Sequence, residues 1–136
     1  MRNEMQSEIV STEGGPGDPR RVVEDYIQAF DSRDRDRCMG FFADTSRIDF
    51  ALGVYRGMKE IERWHDDRFG ADLRLVRVED IRTSGNVVTV DAVATSRIAR
   101  AWRVNSVSGR VTFVIEEGKI VESKFRLRSN IPLEGW

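Results

Sequence analysis

The stretch from Val22 to Ile61 constrains the fold more than any other part of this 136-residue chain. Val22, Val23, Tyr26, Ile27 and Phe30 recur at helical spacing and make one apolar face. A charged break follows, then a shorter apolar helical segment with Cys38, Met39, Phe41 and Phe42 on its face. Arg47 to Leu52 reads as a strand, with Ile48 and Phe50 on one side and Arg47 and Asp49 on the other. Gly57 precedes a third helix whose Met58, Ile61, Trp64, His65 and Arg68 share a face. Asp18-Pro19 is an N-cap followed by proline at the first helical position, and Asp34 is a second N-cap.

From Leu73 onward the period drops to two, with turn residues between the runs. Ser84-Gly85-Asn86 is a hairpin turn and Val87 to Arg97 a long strand. Ser106 to Gly109 reads as a loop or bulge. Val111, Phe113 and Ile115 line one face of the next strand. After Glu116-Glu117-Gly118-Lys119 turns the chain back, Val121, Ser123, Phe125 and Leu127 alternate with Glu122, Lys124, Arg126 and Arg128. A sheet with one apolar and one charged face is covered on one side only. Three helices followed by such a sheet make an α+β domain, and a sheet that curves around helices encloses a cavity. Residues 1–17 are expected to be a flexible N-terminal tail, 18–130 the domain and 131–136 a C-terminal tail.

Charge and composition exclude several functions. The net charge of −1 is not that of a nucleic-acid surface. No apolar run approaches a membrane span and no signal peptide opens the chain, so a cytoplasmic protein without a membrane partner is expected. Cys38 is the only cysteine and reads as a small core residue. One histidine and one cysteine, far apart and without a clustered acid, make a poor metal set; no metal and no cofactor are expected. Gly14-Gly15-Pro16-Gly17 has no strand before it and fails as a phosphate loop.

The ordered motifs Val22-Val23-x-x-Tyr26, Asp34, Phe41-Phe42-Ala43-Asp44, Gly53-Val54-Tyr55-Arg56-Gly57 and Glu117-Gly118-Lys119-Ile120 resemble the nuclear transport factor 2-like superfamily, in particular its SnoaL-like bacterial branch. The resemblance covers about residues 20–129. It implies a cone of three helices against a strongly curved, mainly antiparallel sheet (the cystatin-like roll), a pocket at the wide end and a homodimer. Functions in this superfamily range from steroid isomerases and polyketide cyclases to non-catalytic binding modules, so the fold alone names no reaction.

Matched to the ketosteroid isomerases, Tyr26 stands where a tyrosine serves as oxyanion donor. The catalytic base position falls on Phe50, with Asp49 beside it on the opposite face, and the late-strand acid falls near Gly109 or Arg110. Matched to limonene-type epoxide hydrolases, one of the two aspartates falls on Phe125. His65, the only histidine, is the candidate for proton transfer; the alternative is a hydrogen-bonded core or rim residue. Asp49, Phe50, Trp64, Asp91, Arg97, Phe113 and Phe125 are candidate ligand-binding residues. Asp91, Thr95 and Arg97 are read on one strand face, where a cross-strand ion pair is the competing reading. Trp64 and Trp102 are either pocket walls or core.

Two functions are therefore carried forward. One is a cofactor-independent acid–base enzyme of cyclase or isomerase type, acting on a hydrophobic carbonyl or polyketide-like compound. The other is a non-catalytic ligand-binding or dimeric assembly module. The aromatic residues can line the cone or fill it, and the sequence leaves both open.

Overall fold

The computed structural model describes residues 17–50, 53–101 and 106–127. The expected N-terminal tail lies outside these but for Gly17, as do Trp102, Arg128 and the expected C-terminal tail. Among the described residues the elements run α1 (Pro19–Asp31), α2 (Arg35–Met39), β1 (Phe42–Phe50), β2 (Gly53–Arg56), α3 (Gly57–Gly70), β3 (Arg74–Ser84), β4 (Val87–Thr95), α4 (Arg97–Ala101), β5 (Val107–Glu116) and β6 (Lys119–Leu127). The six strands form one curved sheet in the order β2-β1-β6-β5-β4-β3, antiparallel throughout except where β1 runs parallel to β6. The α+β roll expected from the sequence is the fold observed, with a fourth short helix added.

Local chemistry sets the helix starts. The Asp18 carboxylate accepts from the Arg21 N–H at 3.1 Å and Pro19 opens α1; Asp34 accepts from the Arg37 N–H at 3.1 Å and opens α2. At α3 the Glu60 carboxylate in the first turn accepts the N–H of the N-cap residue Arg56 at 2.7 Å, fastening the start of the helix. The tight turn between β5 and β6 places Glu117 and Gly118 at φ 51° and 78°, the left-handed pair a two-residue hairpin demands.

Four boundaries differ from the sequence reading. First, Phe41 and Phe42 do not end a helix. The helix stops at Met39, and the chain turns directly into β1, where the Ile120 N–H donates to the Phe41 carbonyl at 2.7 Å. Second, β1 accordingly spans Phe42–Phe50 rather than starting at Arg47. Its ladder with β6 is irregular between Phe42 and Arg47, and Ser46 bridges the gap. Its hydroxyl accepts from the Ala43 N–H at 2.8 Å and donates to the Ile120 carbonyl at 2.7 Å. Third, β4 ends at Thr95, and Arg97 begins α4, so Arg97 does not share a strand face with Asp91 and Thr95. Its backbone N–H donates to the Ala71 carbonyl at 2.9 Å, and its guanidinium donates to the Gly70 carbonyl at 2.8 Å. The C-terminal end of α3 recruits this segment out of the sheet. Fourth, Gly109 is not in a loop; it lies inside β5, opposite Ala92 on β4 and Leu127 on β6.

The helices cover the concave face, α1 across β3 to β6 and α3 across β1 and β2. The core joins Val22, Val23, Tyr26 and Phe30 of α1, Ile61, Trp64 and His65 of α3, and inward residues of the strands. The β5–β6 ladder skips Val121, which is why Ile120 and Ser123, rather than a strict alternation, are buried in β6. The convex face carries ion pairs. Arg47 meets Glu122 at 2.6 Å, Arg126 meets Asp49 at 3.7 Å, and Arg82 and Arg110 both hold Asp91.

Candidate functional site

The concave face encloses a cavity of about 110 Å³. At roughly 30 Å³ of liquid volume per water that is room for about four waters, the scale of a single-ring organic molecule, since a cavity of about 150 Å³ takes a benzene. The helices contribute Tyr26, Ile27, Phe30 and Trp64 to its wall. The sheet contributes Ile48, Phe50, Val90, Phe113, Ser123 and Phe125, with Leu73 and Leu75 at the start of β3. The hollow exists because small residues meet in register. Ala92 lies opposite Gly109 on the neighbouring strand, with Ala94 two positions along, and all three line the space. Aromatic rings pack around it without filling it, edge to face for Phe50–Trp64 and Tyr26–Phe113 and tilted for Phe50–Phe125. Phe50 lies 5.4 Å from Trp64 and 5.0 Å from Phe125, and Tyr26 lies 6.0 Å from Phe113, between ring centroids.

The lining among the described residues is almost wholly apolar. Tyr26, Trp64 and Ser123 bring its only polar side-chain atoms, and no carboxylate, imidazole or cationic side chain is present. The base position inferred by likeness to the isomerases is Phe50, which lines the cavity, while Asp49 points to the convex face and meets Arg126. Gly109 puts no side chain where a late-strand acid would stand. A Cβ there would sit 2.7 Å from the Phe125 ring, so the phenyl group occupies that space.

Tyr26 and His65 are brought together. The Tyr26 hydroxyl lies 2.8 Å from His65 Nε2, and His65 Nδ1 lies 2.8 Å from the Ile61 carbonyl oxygen one helical turn earlier. A carbonyl oxygen only accepts, so Nδ1 carries the proton, Nε2 is the acceptor and Tyr26 is the donor. His65 is fully buried and does not line the cavity. Burial lowers its pKa from 6.5 to about 4, against the opposing pull of the Ile61 hydrogen bond. Burial also raises the Tyr26 pKa well above its ordinary value. The pair is neutral at physiological pH and its one mobile proton is already engaged.

The remaining sequence candidates divide cleanly. Phe50, Trp64, Phe113 and Phe125 line the cavity. Asp49, Asp91 and Arg97 do not. Asp91 sits on the convex face between Arg110 at 2.8 Å and Arg82 at 3.0 Å, whose hydrogen bonds lower its pKa to about 2. Ala92, Ala94 and Gly109, which open the cavity, were not picked out from the sequence. Their signal was present as small residues at alternate strand positions, but only cross-strand register puts them together. No group of three or more potential metal ligands occurs among the described residues, and no helix there is long and apolar enough to cross a membrane.

A roll of helices on a curved sheet around an apolar cavity defines a class of small α+β proteins. The chain belongs to the SnoaL-like domain family, whose model matches residues 23–123, within the nuclear transport factor 2-like superfamily. Solved structures share the fold. A candidate polyketide cyclase from Sinorhizobium meliloti is 20% identical, with a TM-score of 0.69 over 77% of this chain and 93% of that one. The epoxide hydrolase/cyclase-like enzyme SalBIII, of pyran-ring formation in the polyether salinomycin, is 18% identical, with a TM-score of 0.71 over 80% and 89%. A candidate ketosteroid isomerase from Kribbella flavida is 14% identical, with a TM-score of 0.70 over 84% and 80%. At these identities the likeness is one of fold. No curated protein matches the chain.

Proposed function

We propose that this chain binds a small hydrophobic carbonyl or polyketide-like molecule in the cavity, holding it by shape and apolar contact without a poised acid or base of its own. The observation that carries this reading is the lining, which is apolar apart from Tyr26, Trp64 and Ser123 and has no group that titrates near neutral pH. An apolar hollow with a few polar atoms is the usual form of a small-molecule site. Proton transfer from carbon needs a base within hydrogen-bond reach of the substrate, and His65 is outside the lining with both nitrogens engaged. A homodimer, implied by the resemblance, and a cytoplasmic setting complete the proposal; sedimentation tests the first and cell fractionation the second.

The second reading is the acid–base enzyme built on Tyr26 and His65. It is favoured by one observation, that Tyr26 lines the cavity and touches the only histidine. Titration with 4′-ethylacetophenone, followed by calorimetry, separates binding from no binding. Saturable one-to-one binding that Ala92→Phe abolishes supports the pocket. Exchange of the ketone's α-protons in D2O, followed by NMR, separates the two functions. A rate equal to that of buffer supports the binder. A faster rate that His65→Gln removes overturns it in favour of the enzyme.

A further inference from the structure

Behind the Phe50–Trp64 wall stands a cation that makes no ion-pair contact among the described residues. The Arg68 guanidinium lies 4.7 Å from the Phe50 ring centroid and 5.6 Å from that of Trp64. Phe50 and Trp64 both line the cavity. Arg68 makes no ion pair among the described residues, whereas Arg33, Arg35, Arg47, Arg82 and Arg110 all do. Its Nε is buried and unpartnered, and so is Nε1 of Trp64, a side chain only 7% exposed. Desolvation lowers the Arg68 pKa, against the opposing pull of the Asp67 carboxylate and of a hydrogen bond with the Tyr55 side chain.

A partly buried guanidinium with no carboxylate in contact is costly, as is a buried N–H with no acceptor. Stacking on two rings offsets part of that cost and leaves Nε without an acceptor, on a planar fork whose shape suits two oxygens. Trp64 lines the cavity and the guanidinium stacks on its ring from behind, so the two unpartnered N–H groups belong to one end of an otherwise apolar space.

We propose that Arg68 and Trp64 form an anion-recognition subsite, and that the molecule bound in the cavity is a hydrophobic carboxylate with its acid group directed at these two side chains. This rests on the binding reading above and names its ligand class. The body of the ligand lies against Phe113, Phe125 and the floor made by Ala92 and Gly109. The carboxylate replaces the missing counter-ion, giving charge-assisted hydrogen bonds in a place of low dielectric.

The test compares 4-ethylbenzoate with 4′-ethylacetophenone, which has nearly the same shape and no charge. Calorimetry at pH 7.5 is expected to show the acid bound at least tenfold more tightly. Arg68→Gln brings the two within about twofold by weakening the acid alone, and Arg68→Lys keeps part of the preference. Equal affinity in the unaltered protein, or preference for the ketone, overturns the subsite and leaves the pocket standing. Binding of neither compound overturns the pocket reading and the subsite with it. A measurement on the unaltered protein covers the case in which Arg68→Gln does not fold. With a ¹³C-labelled carboxyl group, the bound acid is expected to stay ionised below its free pKa, since a nearby guanidinium favours the charged form. A bound pKa above the free value overturns the proposal, because that is what apolar burial without a cation produces.

Discussion

Tyr26 donates its hydroxyl proton to Nε2 of His65 across 2.8 Å, and His65 in turn is held in one tautomer by the Ile61 carbonyl, also at 2.8 Å. The relationship ties α1 to α3 through the middle of the core, where His65 has no exposed surface. Each polar atom satisfies the next, so the loss of one member strands another.

Tyr26→Phe is accordingly expected to destabilise the protein by about 1–3 kcal/mol, because it removes little volume but leaves Nε2 buried without a donor. Urea denaturation checks this. The double variant Tyr26→Phe with His65→Leu is expected to cost less than the sum of the single changes, since it removes both partners of one hydrogen bond.

The pH dependence follows from the same imidazole. Its folded pKa of about 4 lies below the unfolded 6.5, so between these values the unfolded chain takes up a proton that the native one refuses. Nothing is lost above pH 6.5. As pH falls from 6.5 to 4, stability decreases by up to about 3 kcal/mol from this group. Denaturation midpoints at pH 7.5, 5.5 and 4.5 measure the loss, and in His65→Leu the corresponding slope is expected to flatten.

The Asp91 contribution is lost in the same direction, over a lower pH range. Hydrogen bonds from Arg110 and Arg82 hold its pKa at about 2, below the ordinary 3.8, so its contribution is complete above pH 4 and disappears as pH falls through 2. Its side chain is 11% exposed but both arginines are 46% exposed, so solvent screening leaves about 1 kcal/mol. Asp91→Asn is expected to lose that amount at pH 7 and to match the unaltered protein near pH 2. Ligand affinity is expected not to change, since Asp91 faces away from the cavity.

Gly109→Ala probes the cavity floor. The added Cβ would meet Phe125 ring carbons at 2.7 and 3.0 Å and the Arg126 carbonyl oxygen at 3.4 Å. The ring must move, and Phe50 stands only 5.0 Å away between centroids. A cost of about 1–3 kcal/mol is expected. A loss of affinity for 4′-ethylacetophenone larger than that of Asp91→Asn is expected with it, by calorimetry. Unchanged affinity would mean that Phe125 does not bound the occupied volume.

The amino-acid sequence by itself determined the kinds of element, the caps at Asp18 and Asp34, the turn at Glu117-Gly118 and the family roll, because these depend on spacing within a few residues. It also placed the apolar stripes that became the cavity wall, with Phe50, Trp64, Phe113 and Phe125 among them. Tertiary structure decided the rest. Arg97 left its expected strand because the end of α3 offered two carbonyls to it, a contact 27 residues away in the chain. Ala92 and Gly109 became a floor only through strand register, and Arg68, read on the shared face of α3, came to stack on Phe50 and Trp64 only through the fold. His65 became a neutral buried acceptor because the core closed over it, with Tyr26 and Ile61 engaging both its nitrogens. Periodicity is a property of neighbours in the chain, whereas burial, pairing and protonation depend on which distant groups the fold brings within a few ångströms.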